Sequence, residues 1–183
     1  MDNNQSDLHL IYLIKEDDSK ALDSLFRKYY SSLCQFAAQL SKRDDIAQEI
    51  VADVFVRLWE KRKTLNLQYH VRSYLYKATR YTAINYIHHE LKEFEELDDN
   101  TQEETYTPLD ALMFQELEIY VASRINQLPE KRRIIFQLNR FEGFTYSEIA
   151  DILNISVKTV ENQMGHALKQ LRVLFNRVEQ SMN

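Results

Sequence analysis

Between Lys61 and His89 the chain carries six Lys/Arg and three His but no carboxylate, and it places five of its eleven tyrosines there: Tyr69, Tyr74, Tyr76, Tyr81 and Tyr86. Cations attract phosphate, and flat rings stack on unpaired bases. That mixture suits the holding of a single nucleic-acid strand; the plain alternative is a solvated helix face with tyrosines half in a core. A second group, Lys158, Thr159, Glu161, Asn162, Gln163, His166 and Lys169, recurs at helical spacing on the polar side of an amphipathic stretch. Such side chains can reach base edges and phosphates from a major groove; the alternative is an ordinary helical hairpin with a polar face. The small Ala150 allows two helices to cross closely and favours the DNA reading. Covalent chemistry is thinly supplied. No nucleophile–base pair or phosphate loop is present, and beside His88 the pair His89 and Glu93 has i, i+4 ligand spacing without a third ligand. The expectation is a non-enzyme with no metal, no cofactor and no small-molecule substrate.

The elements that must position these groups all read as helices. Leu8, Ile11, Tyr12 and Ile14 mark a short helix over 7–15. Asp17, Asp18 and Ser19 then offer N-caps to a helix with the stripe Leu22, Leu25, Phe26, Tyr29, Leu33, Phe36, Ala37 and Leu40. Asp44 or Asp45 is expected to cap a third helix, striped by Ile46, Ile50, Val51, Val54, Phe55, Leu58 and Trp59. After a polar bridge, a fourth helix runs from about Val71 to His89 with Leu75, Ala78, Thr79, Thr82, Ala83 and Tyr86 inward. Helix resumes after Pro108, breaks at Leu128-Pro129-Glu130, and ends near Gly143, a candidate left-handed cap. Thr145 and Glu148 form a capping box, flanked by Phe144 and Ile149 as a hydrophobic staple. Asn154 suits the left-handed turn that follows, and Ser156 caps a last helix packed through Val157, Val160, Met164, Ala167, Leu168 and Leu171. A short helix, a tight turn and a second amphipathic helix make a helix-turn-helix.

The 183 residues contain only two Gly, two Pro and one Cys. β-Hairpins and dinucleotide-binding loops need glycine, and disulfide frameworks need paired cysteines, so those classes are set aside. No apolar run is long enough to span a bilayer and no secretory signal opens the chain, so a cytoplasmic protein without membrane insertion is expected. The net charge of −5 argues against nucleic acid only while it is averaged. Residues 21–92 are net +5 and residues 119–183 net +3, whereas residues 93–118 hold ten carboxylates and no Lys or Arg. The chain is therefore expected to be all-α: two small helical domains joined by a flexible acidic linker, the C-terminal one with the helix-turn-helix.

At this point the stretches become specific. "LPEKRRIIFQLNRFEGFTYSEIADILNISVKTVENQMGHALKQLR" resembles the C-terminal domain of bacterial sigma factors of the extracytoplasmic-function group of the sigma-70 family. "DIAQEIVADVFVRLWEKR" and "VRSYLYKATRYTAINYIHH" resemble that family's second conserved region and its helix that reads the −10 element. The resemblance implies a region 2-like domain over 1–92, an acidic linker over 93–107 and a region 4-like domain over 108–183. It implies a transcription initiation factor that docks on core RNA polymerase through the β′ clamp and β flap, recognises promoter DNA and melts it at −10.

By the same resemblance Gln48, Glu49, Asp53 and Arg57 would face the β′ clamp, while the spacing of Phe55, Leu58 and Trp59 matches the apolar stripe and leaves them to the core. Tyr69, Arg72, Lys77, Arg80, Tyr81, Asn85 and His88 would hold the −10 strand, and Lys158, Thr159, Glu161, Asn162 and His166 would approach the −35 element. An anti-sigma factor is an expected partner. Three positions depart from common family choices: His166 where many relatives have Arg, Gly165 inside the recognition helix, and Tyr81 where Asn is frequent. The runner-up is a two-domain helix-turn-helix transcriptional regulator that does not dock on polymerase.

Overall fold

A computed structural model describes residues 3–65, 67, 70–93 and 114–179, with side chains described at 6–65, 67, 70–87 and 120–173. The expected linker beyond Glu93 and the expected helix start at Pro108 lie outside the described residues. Within them all regular structure is α-helical: α1 Asn3–Lys15, α2 Ser19–Ser41, α3 Asp44–Glu60, α4 Val71–Glu93, α5 Phe114–Asn126, α6 Glu130–Arg140, α7 Tyr146–Leu153 and α8 Val157–Glu179. The chain divides into two compact units, the first built from α1–α4 together with Asp151–Asn154, the second from α5, α6, α8 and the start of α7.

In the first unit α2 is the hub, packing on α1, α3 and α4, while α3 also packs on α4. The apolar spacing explains this. Leu25, Leu33, Ile50, Val51, Leu58 and Leu75 are fully buried, each stabilising the unit by about 1.5–3 kcal/mol. Phe26 meets Phe55 edge-on at 5.0 Å, and Phe36 tilts against Tyr76 at 5.1 Å. Asp18 is the N-cap of α2, its carboxylate accepting from the backbone N–H of Lys20 and Ala21 at 2.8 and 3.2 Å. The cap of α3 differs from expectation. Arg43 is the N-cap, without a side-chain hydrogen bond, and Asp44 and Asp45 lie inside the first turn. There their charges oppose the positive end of the helix dipole, and Arg43 grips Asp45 at 2.6 Å.

α1 is longer than its apolar spacing implied, and it carries a buried charge. Asp7 is only 1% exposed; it accepts from Lys28 Nζ at 2.5 Å and from the Tyr29 hydroxyl. Burial, then the bond to Asp7, raises the Tyr29 phenol well above its ordinary pKa.

Scarcity of glycine does not prevent sharp helix ends. Asp17, Lys42, His70 and Asn154 take left-handed conformations with φ of 68°, 60°, 57° and 51°, and Gly143 takes φ 69°. Asp, Asn and His tolerate that region better than most residues. In the second unit Ile125, Leu128, Ala167 and Leu171 form a core patch, with Val121 and Phe136 against it. Pro129 is the N-cap of α6 rather than its first helical residue, its carbonyl accepting from Arg132 and Arg133.

Candidate nucleic-acid and partner surfaces

α3 presents Gln48, Glu49 and Arg57 exposed, with Asp53 half-buried, on its outer side. Phe55 and Leu58 are buried as their spacing implied; Trp59 is half-buried beneath the Arg62 guanidinium at 4.3 Å. Arg57 pairs with Asp53 at 3.3 Å. The Tyr86 phenol of α4 is raised by burial first, then by the charges of Asp53 and Glu49 and a hydrogen bond to Asp53. Val56, which belongs to no expected site, is 54% exposed in the middle of this surface. Its signal was an apolar residue off the inward stripe, flanked by Ala52, also exposed.

The basic, aromatic segment is only partly available to nucleic acid. Arg62 Nε and Lys63 Nζ hold the two oxygens of Asp17 at 2.5 and 2.8 Å. Arg62 also donates to the Trp59 carbonyl at 2.7 Å, and Lys63 to the Lys15 carbonyl at 2.6 Å. These two cations therefore staple the α1–α2 turn to the end of α3. Their bonds hold the Asp17 carboxyl below its usual range, Lys63 contributing most and Arg62 next. Tyr76, counted above among rings for stacking, is fully buried and belongs to the core. Tyr74 is half-buried, and burial raises its phenol. Tyr81 is 64% exposed and Asn85 is exposed beside it on the next turn. Arg72, Lys77 and Arg80 lie along α4, with Arg72 near the Tyr76 ring at 5.8 Å. His88 is on α4 by its backbone, but its side chain, like that of His89, is outside the described part, and Tyr69 is outside altogether.

The second surface follows from its caps. Thr145 N donates to Glu148 Oε2 at 2.9 Å and Glu148 N to Thr145 Oγ1 at 3.3 Å, the reciprocal pair of a capping box. Phe144 and Ile149 are both buried around it. At the other end of α7, Asn154 is left-handed and Ile155 N donates back to the Ala150 carbonyl at 2.9 Å, a Schellman-type closure. Ser156 Oγ accepts from Thr159 N at 3.0 Å and starts α8. Val160, Met164, Ala167 and Leu171 face inward, while Val157 and Leu168 are 42% and 39% exposed. The last two were expected in the core; each sits at the edge of the buried stripe. Lys158, Thr159, Glu161, Asn162, Gly165, His166 and Lys169 are all exposed, within about 160° of helix arc. Lys158 leans to Glu161 at 3.2 Å, and the Thr159 hydroxyl meets that of Ser156 at 2.8 Å. Gln163 is not part of the free face. It is half-buried and accepts from Arg132 of α6.

Among the described residues no helix is long and apolar enough to cross a membrane. The sigma-70 region 2 family profile matches residues 25–92, and the sigma-70 region 4 profile matches residues 119–171. The chain is 24% identical over 177 residues to the "ECF RNA polymerase sigma-E factor" of Haemophilus influenzae, covering 91% of this chain and 93% of that one. It is 25% identical over 175 residues to the "RNA polymerase sigma-H factor" of Pseudomonas aeruginosa, covering 89% and 90%. Among solved structures it resembles CnrH in complex with the cytosolic domain of CnrY (TM-score 0.62, 21% identity, 94% of this chain and 98% of that one). It also resembles the sigma factor RpoE in complex with the anti-sigma factor NepR from Bartonella quintana (TM-score 0.61, 19% identity, 86% and 98%).

Proposed function

The chain belongs to the extracytoplasmic-function group of the sigma-70 family, and from that premise we propose how it works: it binds core RNA polymerase and directs it to promoters, acting in the cytoplasm and not as an enzyme. The observation that carries this is the order of the two matches, region 2 at 25–92 before region 4 at 119–171, in one helical chain. A regulator with only a helix-turn-helix would not need the first of these.

In this proposal residues 1–92 hold polymerase and the −10 element, 93–107 form the tether, and 108–183 hold the −35 element. Gln48, Glu49, Asp53 and Arg57, together with the exposed Val56, meet the β′ clamp, and region 4 meets the β flap. An apolar centre ringed by charges is the usual anatomy of a protein interface. Tyr69, Arg72, Lys77, Arg80, Tyr81, Asn85 and His88 melt the −10 element and hold its unpaired strand. The exposure of Tyr81 supports a stacking role, since an unpaired base needs an accessible ring. Lys158, Thr159, Glu161, Asn162 and His166 enter the −35 major groove; their exposure on one arc of α8 supports it. An anti-sigma factor holds the chain inactive, as the solved RpoE–NepR complex suggests by likeness of fold.

The test is reconstitution. Mixed with core RNA polymerase, the full chain should co-elute with it and initiate transcripts on a random promoter library. Lack of co-elution would reject polymerase docking. Co-elution without initiation would reject the assigned DNA-reading residues.

A further inference from the structure

Within the second unit one side chain of α6 holds two places on α8. Arg132 donates from Nε to Gln163 Oε1 at 3.3 Å and from Nη1 to Gln170 Oε1 at 3.2 Å. Gln170 in turn donates from Nε2 to the Gln127 carbonyl at 3.3 Å, beyond the end of α5. Gln163 and Gln170 are seven residues apart, so they stack two turns apart on one side of the helix, roughly 10 Å along its axis. They lie between the outward arc of Lys158, Asn162 and His166 and the buried row of Val160, Met164, Ala167 and Leu171.

Between the two glutamines lies Gly165, the sole glycine of α8 and one of two in the chain. A Cβ built there would meet nothing within 4 Å, so no neighbour in the protein requires glycine at that point. Glycine in a helix interior is the residue at which backbone order is most costly to maintain. The apolar contacts on either side of it, the buried Val160 and Met164 before it and Ala167 and Leu171 after it, hold the helix down but are non-directional. A planar guanidinium with donors in a fixed fork is directional.

We propose that Arg132 is a positioning residue that splints the recognition helix across Gly165, holding its N-terminal half, which carries Lys158, Thr159, Glu161 and Asn162, in line with the half packed on α5 and α6. Arg132 itself touches no base. The positioning role rests on the reading of α8 as the −35 helix; the splint does not. In this chain the weak point in the reading helix is thereby compensated from a different helix, and the stiffness of −35 recognition is set at position 132.

Two arms test it, both on the full chain. In the first, hydrogen exchange follows the amides of residues 163–170 in the wild type, Arg132→Ala, Gly165→Ala and the double variant. Arg132→Ala should raise exchange there while leaving α2 and α3 unchanged, and adding Gly165→Ala should restore protection, because alanine stiffens the helix without a clash. Unchanged exchange in Arg132→Ala, or no restoration in the double variant, would overturn the splint. In the second arm, holoenzyme is assayed on duplexes that the wild-type holoenzyme selects from a random library. Arg132→Ala should weaken −35-dependent binding about fivefold, equivalent to about 1 kcal/mol, with an unchanged salt dependence, and Gly165→Ala should recover it. A salt slope reduced by about one unit, with no recovery, would instead make Arg132 a phosphate contact and overturn the positioning role. If the wild type selects nothing, the function proposed above fails and with it the positioning role, while the exchange arm still decides the splint.

Discussion

α8 puts Val160, Met164, Ala167 and Leu171 inward and leaves Lys158, Asn162, His166 and Lys169 in solvent, whereas α4 buries Val71, Ser73, Leu75, Tyr76, Thr79, Thr82 and Ala83 around most of its circumference. The cause is their company: α4 is wedged against α1, α2 and α3, while among the described residues α8 packs mainly on α6 and to a lesser extent on α5. A ridge exposed along one face suits a duplex groove, which accepts a whole helix. A helix sunk into a bundle offers only its rim, here Tyr81 and Asn85, which suits a single strand drawn across a surface.

The sharpest way to break this contrast is to truncate tyrosines on α4. Tyr76→Ala should destabilise the first unit by about 3–5 kcal/mol, read in urea unfolding, because it empties a fully buried aromatic site. Tyr81→Ala should leave stability within about 0.5 kcal/mol and instead weaken holoenzyme binding to the melted −10 strand by about 1–3 kcal/mol. Equal effects on stability would remove the distinction between core and rim.

Next in size is the buried carboxylate of α1. Asp7→Ala removes the carboxylate that accepts from Lys28 and from the buried Tyr29 hydroxyl and should cost about 3 kcal/mol in the same unfolding assay. The second unit has a smaller counterpart in its capping box. Thr145→Ala should destabilise it by about 1 kcal/mol, visible as faster amide exchange in α7. On the exposed face, Lys158→Ala should change stability by less than about 0.5 kcal/mol while lowering the salt slope of promoter binding by about one unit. The smallest effect concerns pH. The folded pKa of Asp17 is lowered from an ordinary 3.8, so its contribution is present above about 3.8 and is lost as pH falls through the lower folded value. Asp17→Asn should therefore flatten that stretch of the acid-unfolding curve.

The same contrast explains what was legible in the sequence. α7 and α8 announce themselves through local chemistry: Thr145 with Glu148, Asn154, and Ser156 each act within a few residues of themselves, so type and spacing suffice. The stripes of α2 and α3 were readable for the same reason. What escaped depends on distant partners. The hold of Asp17 on Arg62 and Lys63 links residues about 45 positions apart, and that of Asp7 on Lys28 links residues 21 apart. Arg62 and Lys63 therefore look like nucleic-acid cations in a charge count, whereas the fold uses them as staples. Tyr76 misled because tyrosine suits core and surface alike, and Gln163 because only the packing of α6 decides its direction. The negative whole-chain charge misled in the opposite sense, since its surplus is concentrated at 93–118.

The most direct test of two unlike reading surfaces is transcription by core polymerase with this chain on a library randomised at both promoter elements. The account predicts that Tyr81→Ala shifts the enriched bases at −10 alone and Asn162→Ala shifts those at −35 alone. The same shift from both substitutions, or no initiation by the wild-type chain bound to polymerase, would contradict it.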